Sequence, residues 1–209
     1  MTIHTEDTAR RLRATGTVAE DVLTVVHGLV RNDIVATATT FTIAGVDRTT
    51  LFTTGTRIKL TQTTAKYFVV VSSAFTTDTT VTVTGGTDYT LANAAITAPF
   101  YSYAANPQAW PGWFLYAITP LGFSSLAQQI GRFAVVDQVC FIEWAISGTS
   151  NAVTFTASPP IAAASGVGRF EPISVTDLGV LGVAPGLFNF QSATVIAFGK
   201  ALNTEGGFT

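Results

Sequence analysis

The sequence predicts a mainly β protein: a short N-terminal helix, a small β-barrel or sandwich module, then a C-terminal antiparallel β-sandwich of jelly-roll type. Three observations predict it. Threonine fills 20 of the 54 positions from Thr37 to Thr90, and its branched side chain disfavours helix and suits a pleated surface. Apolar and polar residues alternate with period two in several short runs. Turn signals rich in Gly, Pro and Asn separate those runs.

Residues 1–31 carry the helical signals and form an N-terminal anchoring or docking segment. Thr15 or Thr17 can cap a helix over 18–30, with Glu20 and Asp21 in its first turn, where negative charge suits the helix dipole. Val18, Val22, Val25, Val26 and Leu29 then share one face, which must bury against a partner or the chain's own core.

Residues 32–110 form the Thr-rich β module. Ile34–Ile43 alternates, with Ala36, Ala38, Thr40 and Thr42 on one face. Thr56–Thr61 alternates Arg57 and Lys59 with Ile58 and Leu60. Tyr67 to Val71 is unbroken apolar sequence, as in a strand covered on both faces. Thr79–Thr84 is strict Thr/Val alternation closed by the turn pair Gly85-Gly86. The run Asn106-Pro107-Gln108-Ala109-Trp110-Pro111-Gly112-Trp113 holds two prolines that bar a regular helix or central strand. The domain boundary is placed there.

Residues 111–209 resume strands, expected at Phe114–Thr119, Ile130–Asp137, Val139–Ser147, Ala152–Ser158 and Ser192–Phe198. Gly148-Thr149-Ser150-Asn151 is expected to turn a hairpin between two of these. Cys140, Ile142, Trp144 and Ile146 share one face, which reads as core, with Cys140 a buried, inert thiol.

Charge sets limits on function. Charged residues make up 11% of the chain, against about 25% in an average soluble domain. From residue 114 onward there are only Arg132, Arg169, Lys200, Asp137, Glu143, Glu171, Asp177 and Glu205. So thin a charged surface points to burial against copies of the same chain or other subunits, since interface cores are depleted of charge. A homo-oligomer is expected. The net charge of −2, without a basic block, argues against a nucleic-acid partner. No run approaches the ~20 apolar residues of a bilayer span, so membrane insertion is not expected. The first residues lack the apolar core of a secretory signal.

The chemistry-bearing residues are few. His4, His27 and Cys140 are the complete His and Cys content. No zinc-ligand spacing exists, and a catalytic triad would have to recruit His27 from a distant segment. No metal, cofactor or catalytic residue is assigned, and the chain is not expected to be an enzyme. Glycoside hydrolysis needs two nearby carboxylates. The candidates are Asp137 with Glu143 and Glu171 with Asp177, though Glu143 can instead pair with Arg132, and each acid reads foremost as a solvated strand-end or turn residue. Gly85-Gly86, Gly166-Val167-Gly168 and Gly206-Gly207 lack the strand-then-helix context of nucleotide loops and read as turns. Tyr101, Tyr103, Trp110, Trp113 and Tyr116 lie close in sequence. Such aromatics either stack on sugars or fill domain joints and interfaces.

The stretch Gly55-Thr56-Arg57-Ile58-Lys59-Leu60-Thr61-Gln62-Thr63-Thr64-Ala65-Lys66-Tyr67-Phe68-Val69-Val70, with Thr82-Val83-Thr84-Gly85-Gly86-Thr87-Asp88-Tyr89 and Asn106-Pro107, resembles a β module of tailed-phage and prophage virion proteins. The string Ser147-Gly148-Thr149-Ser150-Asn151-Ala152-Val153-Thr154-Phe155-Thr156 is similar to a hairpin of the sandwich that commonly follows it. The two matches span residues 33–160. The resemblance implies a tail-fibre, baseplate or head-spike subunit, usually trimeric, in a virion or phage-like particle such as a gene transfer agent. Such a subunit is assembled in the bacterial cytoplasm, joined to other virion subunits by its N-terminal segment, and presents a distal sandwich to host polysaccharide. It offers no catalytic residues. Capsid decoration or a connector role without receptor binding is the alternative, and a glycan-cleaving fibre a remoter one. Such chains often continue into further strands, whereas this sequence stops at Gly206-Gly207-Phe208-Thr209; a missing final strand would leave the third domain open-edged unless a neighbour completes it.

Overall fold

A computed structural model describes residues 24–25, 37–151, 155–163, 171–173, 176–177, 180–181 and 186–199. The strands are β1 (Thr24–Val25), β2 (Thr40–Ile43), β3 (Arg57–Gln62), β4 (Thr64–Phe75), β5 (Thr79–Thr84), β6 (Thr97–Ser102), β7 (Phe114–Leu115), β8 (Phe123–Val136), β9 (Val139–Ser150), β10 (Phe155–Ala157), β11 (Glu171–Ile173), β12 (Thr176–Asp177), β13 (Val180–Leu181), β14 (Gly186–Ser192) and β15 (Val195–Gly199). The protein is mainly β, built of antiparallel sheets, and the described residues contain no helix. Contacts divide it into two compact units, Met1–Phe114 with Ala134–Phe141, and Leu115–Phe133 with Ile142–Thr209.

In the first unit a six-stranded sheet runs β1-β6-β3-β4-β5-β2. Period-two alternation in the sequence decides which side faces the core. On β5, Thr79, Val81 and Val83 are buried while Thr80 is exposed and Thr82 and Thr84 are half-buried. On β2, Phe41 and Ile43 point inward. The core gathers these with Phe52, Ile58, Leu60, Phe68, Val70, Leu91 and Ile96. Phe41 and Phe52 meet edge to face at 5.8 Å. Each such side chain contributes roughly 1.5–3 kcal/mol through its burial. The unbroken apolar run of β4 has Phe68, Val69 and Val70 all buried, so its centre is covered on both faces. Thr79 shows how a buried threonine is tolerated. Its hydroxyl donates to Val46 O at 2.5 Å and accepts from Arg48 N at 2.8 Å.

One expectation is corrected and another falls almost wholly outside the described residues. Of the helix expected over 18–30, only Thr24 and Val25 lie among the described residues, and they form a strand paired with Tyr101 and Phe100; the rest of that helix, with His4 and His27, lies outside them. β6 lies between β1 and β3 and carries Pro99. The ladder with β3 shifts register between Lys59 and Thr61, which is where a residue without an N–H can be accommodated. Gly148-Thr149-Ser150 does not turn a hairpin but continues β9. A Cβ on Gly148 would lie 2.2 Å from Ser125 O, so glycine is required there by close strand approach. β10 pairs with β15.

In the second unit, β10-β15-β14-β11 form a four-stranded sheet, and β12 pairs with β13. β8 lies between β7 and β9 in a three-stranded sheet. The rings of Phe123 and Phe155 (5.1 Å) and of Trp144 and Phe198 (5.1 Å) join the long strands to the four-stranded sheet. The Ile142, Trp144 and Ile146 face is half-buried, not fully enclosed.

Candidate functional site

A polar cleft in the first unit has a volume of about 190 Å3 and is lined by Thr53–Arg57, Tyr103, Asp137 and Gln138. The loop before β3 builds one wall. Gly55 adopts φ +90°, and a Cβ there would sit 2.1 Å from Asp137 O, so only glycine lets that loop meet the turn between β8 and β9. Asp137 supplies the turn at φ 53°, a left-handed conformation that Asp tolerates better than most residues.

Arg57 is 1% exposed. It donates from Nη1 to Gly55 O at 3.1 Å and from Nη2 to Val135 O at 2.7 Å, while its buried Nε has no partner. Burial lowers the guanidinium's pKa, and the nearby Asp137 carboxylate opposes that shift. Arginine is almost never fully buried without a paired charge, yet Arg57 has no carboxylate in ion-pair contact among the described residues. Sequence alternation places Arg57 on the same strand face as Lys59 and gives no sign that one is enclosed. Its acceptor Val135 lies 78 positions away.

The five singled-out aromatics fall into separate groups. Tyr101 and Tyr103 meet edge to face at 5.3 Å, and the half-exposed Tyr103 donates to Leu51 O at 3.1 Å. Trp110 packs against Tyr67 (5.4 Å) and Phe114 (6.2 Å), closing that side of the sheet. Trp113 is 42% exposed. Tyr116, in the second unit, packs on Phe133, accepts from Trp144 Nε1 and donates to Ser158 O at 3.4 Å. Only Tyr103 borders the cleft.

Glu143 forms an ion pair with Arg132 at 2.7 Å. Asp137 belongs to the first unit and Glu143 to the second. Glu171 begins β11 and Asp177 ends β12, in different sheets. Among the described residues no group of three His, Cys, Asp or Glu could hold a metal ion. No described helix is long and apolar enough to cross a membrane. Gly166-Val167-Gly168 and Gly206-Gly207 lie outside the described residues. Burial raises the Cys140 thiol to about 11.

No family model, curated protein or solved structure matches the chain.

Proposed function

We propose that the chain is a non-enzymatic structural subunit of a virion or phage-like particle, a fibre or spike piece that assembles with copies of itself and attaches to host-surface glycan. The observation that carries the assembly half is the coincidence of scarce charge with exposed large apolar side chains. Leu121 is 67% exposed, Val139 56%, Phe141 52%, Ile130 47% and Leu126 42%, in a chain with 11% charged residues. Single exposed apolar residues are ordinary; this many in a chain so thinly charged suit a surface covered in an oligomer. A trimer is the favoured state. The phage-like half rests on the resemblance of residues 55–70 and 82–89 to a virion β module, and the finer reading of the C-terminal region as a jelly-roll sandwich belongs with it.

Light scattering at micromolar concentration tests assembly. The expected mass is a multiple of 22.0 kDa, and a clean monomer overturns the proposal. Retention on host envelope polysaccharide tests attachment. An assembled chain that is not retained is instead a decoration or connector subunit. Shortening of that polysaccharide on incubation, lost in Glu143→Gln, would make the chain an enzyme.

A further inference from the structure

We propose that a second copy of this chain packs on the outward face of the β8–β9 strand pair in the second unit. This contact rests on the assembly reading of the chain and gives that reading its surface. On β8, Leu126, Gln128, Ile130 and Arg132 fall on one side of the strand, and all four are exposed, whereas Gly131 and Phe133 on the other side are buried. On β9, Glu143, Ala145 and Ser147 are exposed and alternate with the half-buried Ile142, Trp144 and Ile146. The 2.7 Å ion pair between Arg132 and Glu143 puts the two exposed sets on the same face. Leu126, Ile130 and Ala145 therefore share an open surface with the uncharged Gln128 and Ser147.

This face and its edge are built unlike a sheet that meets water. β9 is the outermost strand of the order β7-β8-β9 among the described residues. It runs for 12 residues without the Lys or Pro that commonly protect a free edge. Within the second unit, β8 and β9 hold one cation and one anion, Arg132 and Glu143, and these neutralise each other. That charge pattern selects the occupant. A strongly charged partner gains nothing from a face of zero net charge. A second copy brings a Glu143 for each Arg132 and an Arg132 for each Glu143. Both ion-pair side chains are about half open to solvent, and each has spare donors or acceptors for a second partner. Contact about a twofold axis, or around a threefold one, allows this exchange while Leu126 and Ile130 of the copies are covered together.

Reversing one charge at a time tests the surface on the full chain. Arg132→Glu leaves the face with two anions and Glu143→Arg leaves it with two cations. Each variant alone should self-associate about tenfold more weakly than the unaltered chain at low salt. Mixed one to one, the two should associate more tightly than either does alone, because each supplies the charge the other lacks. Ile130→Asp, at an exposed position, should also weaken association about tenfold, with the circular dichroism of the β-sheets unchanged; should that variant not fold, the mixture still decides. Sedimentation equilibrium measures all of these affinities. A mixture no tighter than its components, or variants that assemble as the unaltered chain does, overturns this surface and leaves the assembly reading standing. An unaltered chain that stays monomeric overturns both.

Discussion

Arg57 Nη2 bonds Val135 O at 2.7 Å and so ties the start of β3 to the end of β8, 78 positions later. The same guanidinium bonds Gly55 O, and Gly55 in turn has room only for a hydrogen against Asp137 O. Removing the side chain leaves two carbonyls unpaired and a void. Arg57→Ala should therefore destabilise the first unit by about 2–4 kcal/mol. Arg57→Met, which keeps the stem and drops the buried charge, should cost less than half of that. Gly55→Ala should cost more than about 2 kcal/mol, because the new Cβ meets backbone at a positive φ. Urea-unfolding midpoints check all three, and a neutral Gly55→Ala would show that the loop and the turn do not meet closely.

Gln62 closes another loop. Its Nε2 donates to Ala92 O (2.8 Å) and Ala94 O (2.9 Å), and its Oε1 accepts from Ala92 N (3.0 Å). Gln62 is 4% exposed, so its truncation leaves a void and breaks three hydrogen bonds to the exposed 92–94 loop. Gln62→Ala should cost about 2–3 kcal/mol in the same unfolding measurement. Lys66→Met, which removes a more exposed contact to Thr90 O at 2.6 Å, should cost under about 1 kcal/mol. Equal losses for the two variants would contradict the difference in burial.

In the second unit, two glycines are required for different reasons. A Cβ on Gly148 would meet Ser125 O at 2.2 Å, which is backbone, whereas one on Gly131 would meet the Ile118 and Tyr116 side chains at 2.6–2.9 Å. Side chains can rotate away and a paired strand cannot. Gly148→Ala should cost about 2–4 kcal/mol and Gly131→Ala about 1–2 kcal/mol. Calorimetric melting of the two variants orders them, and the reverse order would refute the close approach of β8 and β9.

The strands of the first unit were legible where one residue decides one neighbour. The Thr79–Thr84 alternation gave its buried face directly, and the Phe68–Val70 run its double burial. Gly148 was visible as a special position, but glycine signals both turns and close backbone approach, and only the neighbouring strand distinguishes them. Pro99 sits within β6, a central strand, at the register shift that accommodates it. The cleft was not legible at all. Arg57, Tyr103 and Asp137 are far apart in sequence, and a lone arginine on a β-strand reads as a solvated residue until its acceptors are known.

Cys140 supplies a prediction that depends on pH. Burial raises its thiol from 9.0 to about 11, so the fold favours the neutral form. The sign follows: this contribution to stability is fully present below about pH 9 and is lost as pH rises through about 11. At pH 8 the thiolate fraction in the folded chain is lower than in the unfolded chain by about two orders of magnitude. Iodoacetamide should therefore label folded protein about 100-fold more slowly than urea-unfolded protein, and the gap should narrow as pH approaches 11. Cys140→Ala should flatten the part of the stability profile that falls between pH 9 and 11. Equal labelling rates at pH 8 would show that the thiol is not enclosed in this way.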